Sequence, residues 1–197
     1  MDDKFEELIG TYIQNRIGIS NHFITKELAL NLQKNLLSLD GEDKMKTAGI
    51  GNRFVQDREQ DKRGDKIFWI DNQSDEPSER AFLNQVDLFI EHLNDTCYTG
   101  INAYEFHYAL YETGSYYERH VDQFQNNNDR KYSLIHYLNT DWMENEGGEL
   151  LIHHENKTDK IFPEMQKAVF FRSEDCEHEV SRSTRPRMSI SGWLKSI

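Results

Sequence analysis

The feature that most constrains this chain is the succession of short alternating segments in its second half. INAYEFHYALYE (101–112), KYSLIHYLN (131–139), GELLIH (148–153), KAVFFRS (167–173), EHEVS (177–181) and RMSISGWL (187–194) follow one another, separated by turns rich in Gly, Asn, Asp and Pro. Runs of this length with period-two patterning are strands that bury one face. So many short strands in a row must close on themselves as a sandwich or jelly roll.

The first half supplies helices. Phe5, Leu8, Ile9, Tyr12 and Ile13 fall on one face of a 3.6-residue repeat, and a second helix is expected from Thr25, with Leu28, Leu32, Leu36 and Leu39 inward. A third is expected after Pro77 and Ser78, with Phe82, Val86, Phe89, Ile90 and Leu93 as its apolar stripe. The polar stretch Gly51–Arg63 reads as a long lid-like loop before a strand at 66–71. Helices first and strands afterwards predict an α+β fold. We divide the chain into a lead segment over 1–20 and a single domain over 21–197.

Charge and cysteine content narrow the function. A formal charge of −12 argues against nucleic-acid partners and anionic membrane surfaces. Cys97 and Cys176 are too few for a disulfide framework, and the acidic start MDDKFEELIG has no apolar signal region, so a cytoplasmic protein is expected.

His120 and Asp122 are two apart, which on an extended chain puts both on one face, roughly 6.5–7 Å apart at the backbone. His-x-Asp alone is a weak signal. With His178 as third ligand the set becomes the two-histidine, one-carboxylate triad of non-haem iron oxygenases, although ligand identity leaves zinc open. In RMSISGWL the alternation puts Arg187, Ser189, Ser191 and Trp193 on one face and Met188, Ile190 and Leu194 on the other. An inward arginine needs an anionic partner, and a cosubstrate carboxylate would be one. Tyr137 shares a face with Ser133 and Ile135, and its hydroxyl is expected to meet the same carboxylate.

The ordered residues Tyr111, Gly114, Tyr117, His120 and Asp122, then His178, then Arg187 resemble the prolyl 4-hydroxylase group of Fe(II)/2-oxoglutarate dioxygenases. The match is closest to the hypoxia-inducible-factor prolyl hydroxylases and their bacterial relatives. RGDKIFWID (63–71), YLNTDW (137–142), GGEL (147–150), VFFRS (169–173) and HEV (178–180) are similar to that family's blocks, in order, over about residues 21–194. The resemblance implies a double-stranded β-helix (jelly roll) with N-terminal helices packed against the major sheet. It implies iron ligands His120, Asp122 and His178, and 2-oxoglutarate held by Arg187 with Tyr137, Tyr111 and Ser191. Tyr111 would sit near the cosubstrate's chelating end, although 111–117 is one residue shorter than in the animal enzymes. Arg63, Asp65, Arg130 and Trp193 would contact substrate, with Asp65 and Arg130 at positions that pair in relatives. The implied cosubstrates are 2-oxoglutarate and O2 on Fe(II), with ascorbate as accessory reductant. The implied partner is a protein carrying a target proline. A hydroxylase of free proline or another small metabolite, and a jelly-roll binding module without turnover, are the competing readings.

Overall fold

A computed structural model describes residues 3–48, 63–123 and 128–197. The expected loop over 51–62 lies outside the described residues. Helix α1 (Asp3–Asn15) runs into strand β1 (Ile17–Ser20), and helix α2 (Lys26–Gly41) precedes the short β2 (Lys46–Thr47) and β3 (Asp65–Trp69). After helix α3 (Pro77–Cys97) come β4 (Ala103–Tyr111), β5 (Tyr117–His120), β6 (Arg130–Tyr137), β7 (Leu150–His153) and β8 (Thr158–Ile161). The chain ends with β9 (Ala168–Arg172), β10 (Glu177–Val180) and β11 (Arg187–Lys195).

The strands form a seven-stranded sheet in the order β1-β9-β6-β11-β4-β3-β2 and a four-stranded sheet in the order β5-β10-β7-β8. The described pairings between named strands are antiparallel. Together with the helices on the larger sheet, this is the double-stranded β-helix. No described helix is long and apolar enough to cross a membrane.

Helix starts follow local chemistry. Thr25 caps α2 by accepting from the Leu28 amide, as a Thr N-cap should. At α3 the cap is Glu76, one residue before Pro77, and its carboxylate accepts from the Glu79 amide.

Two cores flank the major sheet. The outer one joins the helices (Phe5, Leu8, Leu32, Leu36, Phe82, Val86, Phe89) to the sheet's outward side chains, including Phe106, Tyr108, Phe170, Met188, Ile190 and Leu194. The inner one lies between the sheets and joins Ala109, Tyr111, Ile135, Tyr137 and Phe171 to Leu150, Ile152, Ile161, Cys176 and Val180. The alternation read in 187–194 thus divides β11 between an apolar face under the helices and a polar face toward the minor sheet.

The lead segment over 1–20 packs into the same core: α1 contributes Phe5, Leu8 and Ile9, and β1 pairs along β9 from Ile17↔Phe171 to Ser20↔Ala168. One expectation needs correction. Ile13, placed on the apolar stripe of α1, is 70% exposed, because the last turn packs through Tyr12, which meets Tyr132 and Phe170, and Ile13 points away from them.

Candidate metal and cosubstrate site

His120 closes β5, and His178 lies opposite it on β10 in direct register. Asp122 is beyond the end of β5, in a bend rather than on the extended strand that the spacing suggested. Its position is nonetheless fixed. Arg130 Nη1 donates to the Asp122 carbonyl at 3.2 Å, and Ser133 Oγ donates to Asp122 Oδ2 at 2.6 Å.

The three groups converge. His120 Nε2 is 3.6 Å from Asp122 Oδ1, His178 Nε2 is 3.8 Å from Asp122 Oδ2, and one ligand atom from each residue lies within 4.8 Å of the others. Both imidazoles are oriented alike. Nδ1 of His120 donates to the Glu118 carbonyl at 2.7 Å, and Nδ1 of His178 donates to the Cys176 carbonyl at 3.0 Å. A carbonyl only accepts, so Nδ1 carries the proton and the Nε2 lone pairs face the triad, the tautomer a metal ligand needs. Tyr117 stacks on His120 with centroids 3.6 Å apart, and the His178 ring meets Phe171 edge-on.

Electrostatics favour the ligand protonation states. Burial would push the Asp122 carboxyl up, but His178, His120 and the Ser133 hydrogen bond together hold it well below the usual range. Burial also lowers His178, keeping it neutral. Cys176 is a buried filler: burial pushes its thiol up to about 12, which leaves it protonated and inert.

A cavity of about 440 Å³ opens from this triad, within the size range of small-molecule sites (about 300–1,000 Å³). Its far end is cationic. Arg187 is 2% exposed, its Nε donates to the Gly148 carbonyl at 2.9 Å, and its guanidinium lies 5.0 Å from the ring centres of both Tyr111 and Tyr137. The two Nη groups and the buried Tyr137 hydroxyl make no hydrogen bond of good geometry among the described residues, although the hydroxyl lies close enough to the guanidinium to interact with it. Burial pushes Tyr137 up, and Arg187 pulls it partly back. A fixed buried cation beside an orphan hydroxyl is a receptor for an anion. Gly148 makes room for it: at φ +70° an added Cβ would meet Trp142 Cζ2 at 2.8 Å and Arg187 Cδ at 3.3 Å. Tyr111 pairs across the sheet with Arg187, so its ring packs at this end of the cavity. Ser191 also lines the cavity, and its Oγ lies 3.4 Å from that of Ser189.

The mouth is aromatic and charged. Trp69, His107 and Trp193 form a triangular cluster, with His107 centred 4.9 Å from Trp69 and 5.5 Å from Trp193, and the two tryptophan rings 6.2 Å apart. Arg130 lies flat on Trp193, 3.4 Å from the ring centre. The expected Asp65–Arg130 pairing does not occur. Arg63 grips Asp65 with two hydrogen bonds, Nε to Oδ1 at 2.7 Å and Nη2 to Oδ2 at 2.6 Å, while Arg130 binds Glu105 at 2.7 Å. The reason is distance along the sheet. Asp65 pairs with Tyr111 at one end of β4, whereas Glu105 and Trp193 are matched near the other, where Arg130 arrives.

Sequence reasoning missed several residues here. Glu105 anchors Arg130, Ser173 backs Ser133, and His107 lines the cavity while 4% exposed with an unpartnered Nδ1. The alternation from Glu105 through His107 to Ala109 and Tyr111 was a usable signal for two of these. Nothing local announces Ser173.

A jelly roll with two imidazoles and a carboxylate converging beside a buried guanidinium has the donor set of a non-haem iron oxygenase. Residues 106–195 match the family model of the 2OG-Fe(II) oxygenase superfamily. The chain therefore carries a 2OG-Fe(II) oxygenase domain, and the family implies Fe(II), 2-oxoglutarate and O2. Its relatives of known structure include prolyl hydroxylases. The chain is 28% identical to Egl nine homolog 1 of Homo sapiens and 32% identical to that of Rattus norvegicus, each over 95% of its length. It spans about half the length of these curated relatives (46% and 57%). A prolyl-4-hydroxylase from Pseudomonas putida superposes with a TM-score of 0.87 at 27% identity, covering 98% of this chain and 99% of that one. A Trichoplax adhaerens prolyl hydroxylase, in complex with a hypoxia-inducible-factor oxygen-degradation-domain peptide, superposes with a TM-score of 0.85 at 26% identity over 98% and 89%. The domain is prolyl hydroxylase-like.

Proposed function

We propose that the protein hydroxylates a prolyl residue, at C4, in a protein substrate, consuming 2-oxoglutarate and O2 and forming succinate and CO2. The observation that carries this is the cavity with the His120–Asp122–His178 triad at one end and buried Arg187 beside Tyr137 at the other. His120 and His178 through Nε2, with one oxygen of Asp122, would hold the metal. Bound Fe(II) with 2-oxoglutarate would supply O2 activation coupled to oxidative decarboxylation of the keto acid.

The remaining work belongs to the protein. Arg187 and Tyr137 bind the distal carboxylate, and the inner core side chains Ile135, Leu150 and Val180 keep the cavity wall dry against a reactive oxidant. Trp69, exposed at the rim, and Trp193 offer faces for an apolar ring, and Arg130 and the Arg63–Asp65 pair flank them. A protein substrate fits this mouth because Trp69 and Val121 are 48% and 44% exposed, leaving apolar surface around the entrance for a chain segment to cover. We further propose a cytoplasmic location, consistent with the two free cysteines, and ascorbate as a reductant that sustains turnover.

The test is to supply cellular protein and free amino acids separately with Fe(II), 2-oxoglutarate and O2, and to locate added oxygen by mass spectrometry. Oxygen on a prolyl residue, absent with His120→Ala, supports the proposal. Oxygen only on the free amino acid refutes the protein substrate, and no oxygen on either refutes hydroxylation.

A further inference from the structure

Asp122 is the one triad member not held on a strand, yet its carboxylate has a buried partner of its own. Ser133 Oγ donates to Oδ2 at 2.6 Å, and Ser173 Oγ lies 2.9 Å from Ser133 Oγ. The two serines are 1% and 0% exposed and come from different places: Ser133 from β6, Ser173 from just beyond β9. Their neighbours on the inner face of the sheet are apolar, including Ile135 and Phe171. Two hydroxyls in such a wall are costly unless each is paired.

The hydrogen bonds have one consistent direction. The Ser133 proton is committed to the carboxylate, so Ser133 can only accept from Ser173. The chain therefore runs from Ser173 through Ser133 to Asp122, every donor aimed at the negative charge, and each link polarises the next. The Ser173 amide donates to the Lys131 carbonyl at 3.1 Å, fixing the start of the chain to the base of β6. Oδ2 is thereby occupied on one side, and Oδ1, which faces His120 Nε2, has no hydrogen-bond donor among the described residues.

We propose that Ser133 and Ser173 form a positioning relay that fixes the rotation of the Asp122 carboxylate and so sets the metal affinity of the triad. The serines do not touch the metal. They hold a loop-borne ligand in the orientation that the strand-borne histidines acquire from their backbone bonds. This rests on the reading of His120, Asp122 and His178 as metal ligands.

The experiment is an anaerobic Co(II) titration followed by visible absorption, with thermal unfolding of the metal-free proteins as a control. Partners one step removed from a metal ligand typically change affinity about 10–100-fold, so Ser133→Ala is expected to weaken Co(II) by that factor and alter the absorption envelope. Ser173→Ala, one bond further away, is expected to weaken it severalfold. Ser133→Thr, which keeps the hydroxyl, is expected to restore wild-type affinity and spectrum. The relay is overturned if Ser133→Ala binds and absorbs like wild type, or if Ser133→Thr loses as much as Ser133→Ala. If Ser133→Ala fails to fold, an unchanged affinity and spectrum in Ser173→Ala overturns it. Failure of the underlying metal reading looks different: wild type would not bind Co(II), or His120→Ala would bind it equally well.

Discussion

Arg187 is the sharpest place to test the cosubstrate reading. Its Nε is committed to Gly148, which leaves its two Nη groups and the adjacent Tyr137 hydroxyl to meet a ligand. Hydrogen bonds to a charged group contribute about 1.5–3 kcal/mol each when a partner is removed. Replacing Arg187 with Met, of similar reach but uncharged, removes both Nη donors and should therefore cost about 3–6 kcal/mol, weakening 2-oxoglutarate by about 150- to 20,000-fold at 1.4 kcal/mol per decade. Tyr137→Phe removes one donor to the same carboxylate and should cost about 1.5–3 kcal/mol, roughly 12- to 140-fold. The assay is calorimetric titration of Mn(II)-loaded protein, which binds without turnover, with 2-oxoglutarate and with 2-oxopentanoate, the same chain without the distal carboxylate. Wild type should prefer 2-oxoglutarate strongly, and Arg187→Met should bind 2-oxopentanoate as wild type does. A folded Arg187→Met that binds 2-oxoglutarate within twofold of wild type, or that loses both ligands equally, would refute the placement of the distal carboxylate.

Three further outcomes follow from buried groups. Burial lowers His107 from 6.5 to about 4 and His136 to about 3, so the unfolded chain takes up protons first as pH falls below 6.5. Their stability contribution is complete above pH 6.5 and declines below it at up to about 1.4 kcal/mol per pH unit per histidine. Urea midpoints measured from pH 7.5 down should show this slope, and His136→Phe should flatten it; an unchanged slope would contradict the assignment. Asp65→Ala leaves Arg63 without its bidentate partner, and should cost about 3–5 kcal/mol in chemical denaturation. Gly192→Ala places a Cβ 2.2 Å from Phe106 Cδ1 and 2.3 Å from the Glu105 carbonyl, and overpacking should cost about 1–3 kcal/mol or more, read as a lowered melting temperature.

Some elements were legible because their causes are local. The N-cap at Thr25, the Leu32–Leu36–Leu39 stripe and the two faces of 187–194 depend on residues a few positions apart, and the folded chain keeps them. Strand β1 was not anticipated because it is short and acquires its partner, β9, from far along the chain, and β8, which pairs with the neighbouring β7, is short and mostly polar. The same held for charged side chains. Asp65 and Arg130 each had several candidate partners, and the lateral order of β3, β4 and β11 matched them to Arg63 and Glu105 instead of to each other.

Sequence by itself determined which chemistry was available: imidazoles, a carboxylate and an arginine at fixed separations, on segments whose periodicity named their inward faces. Tertiary structure alone decided how those groups are aimed, through the 40-residue separation between Ser133 and Ser173, the register of His120 against His178, and the glycine space under Arg187. Periodicity is a property of neighbours along the backbone, whereas hydrogen-bond direction is set by whichever distant strand packs alongside.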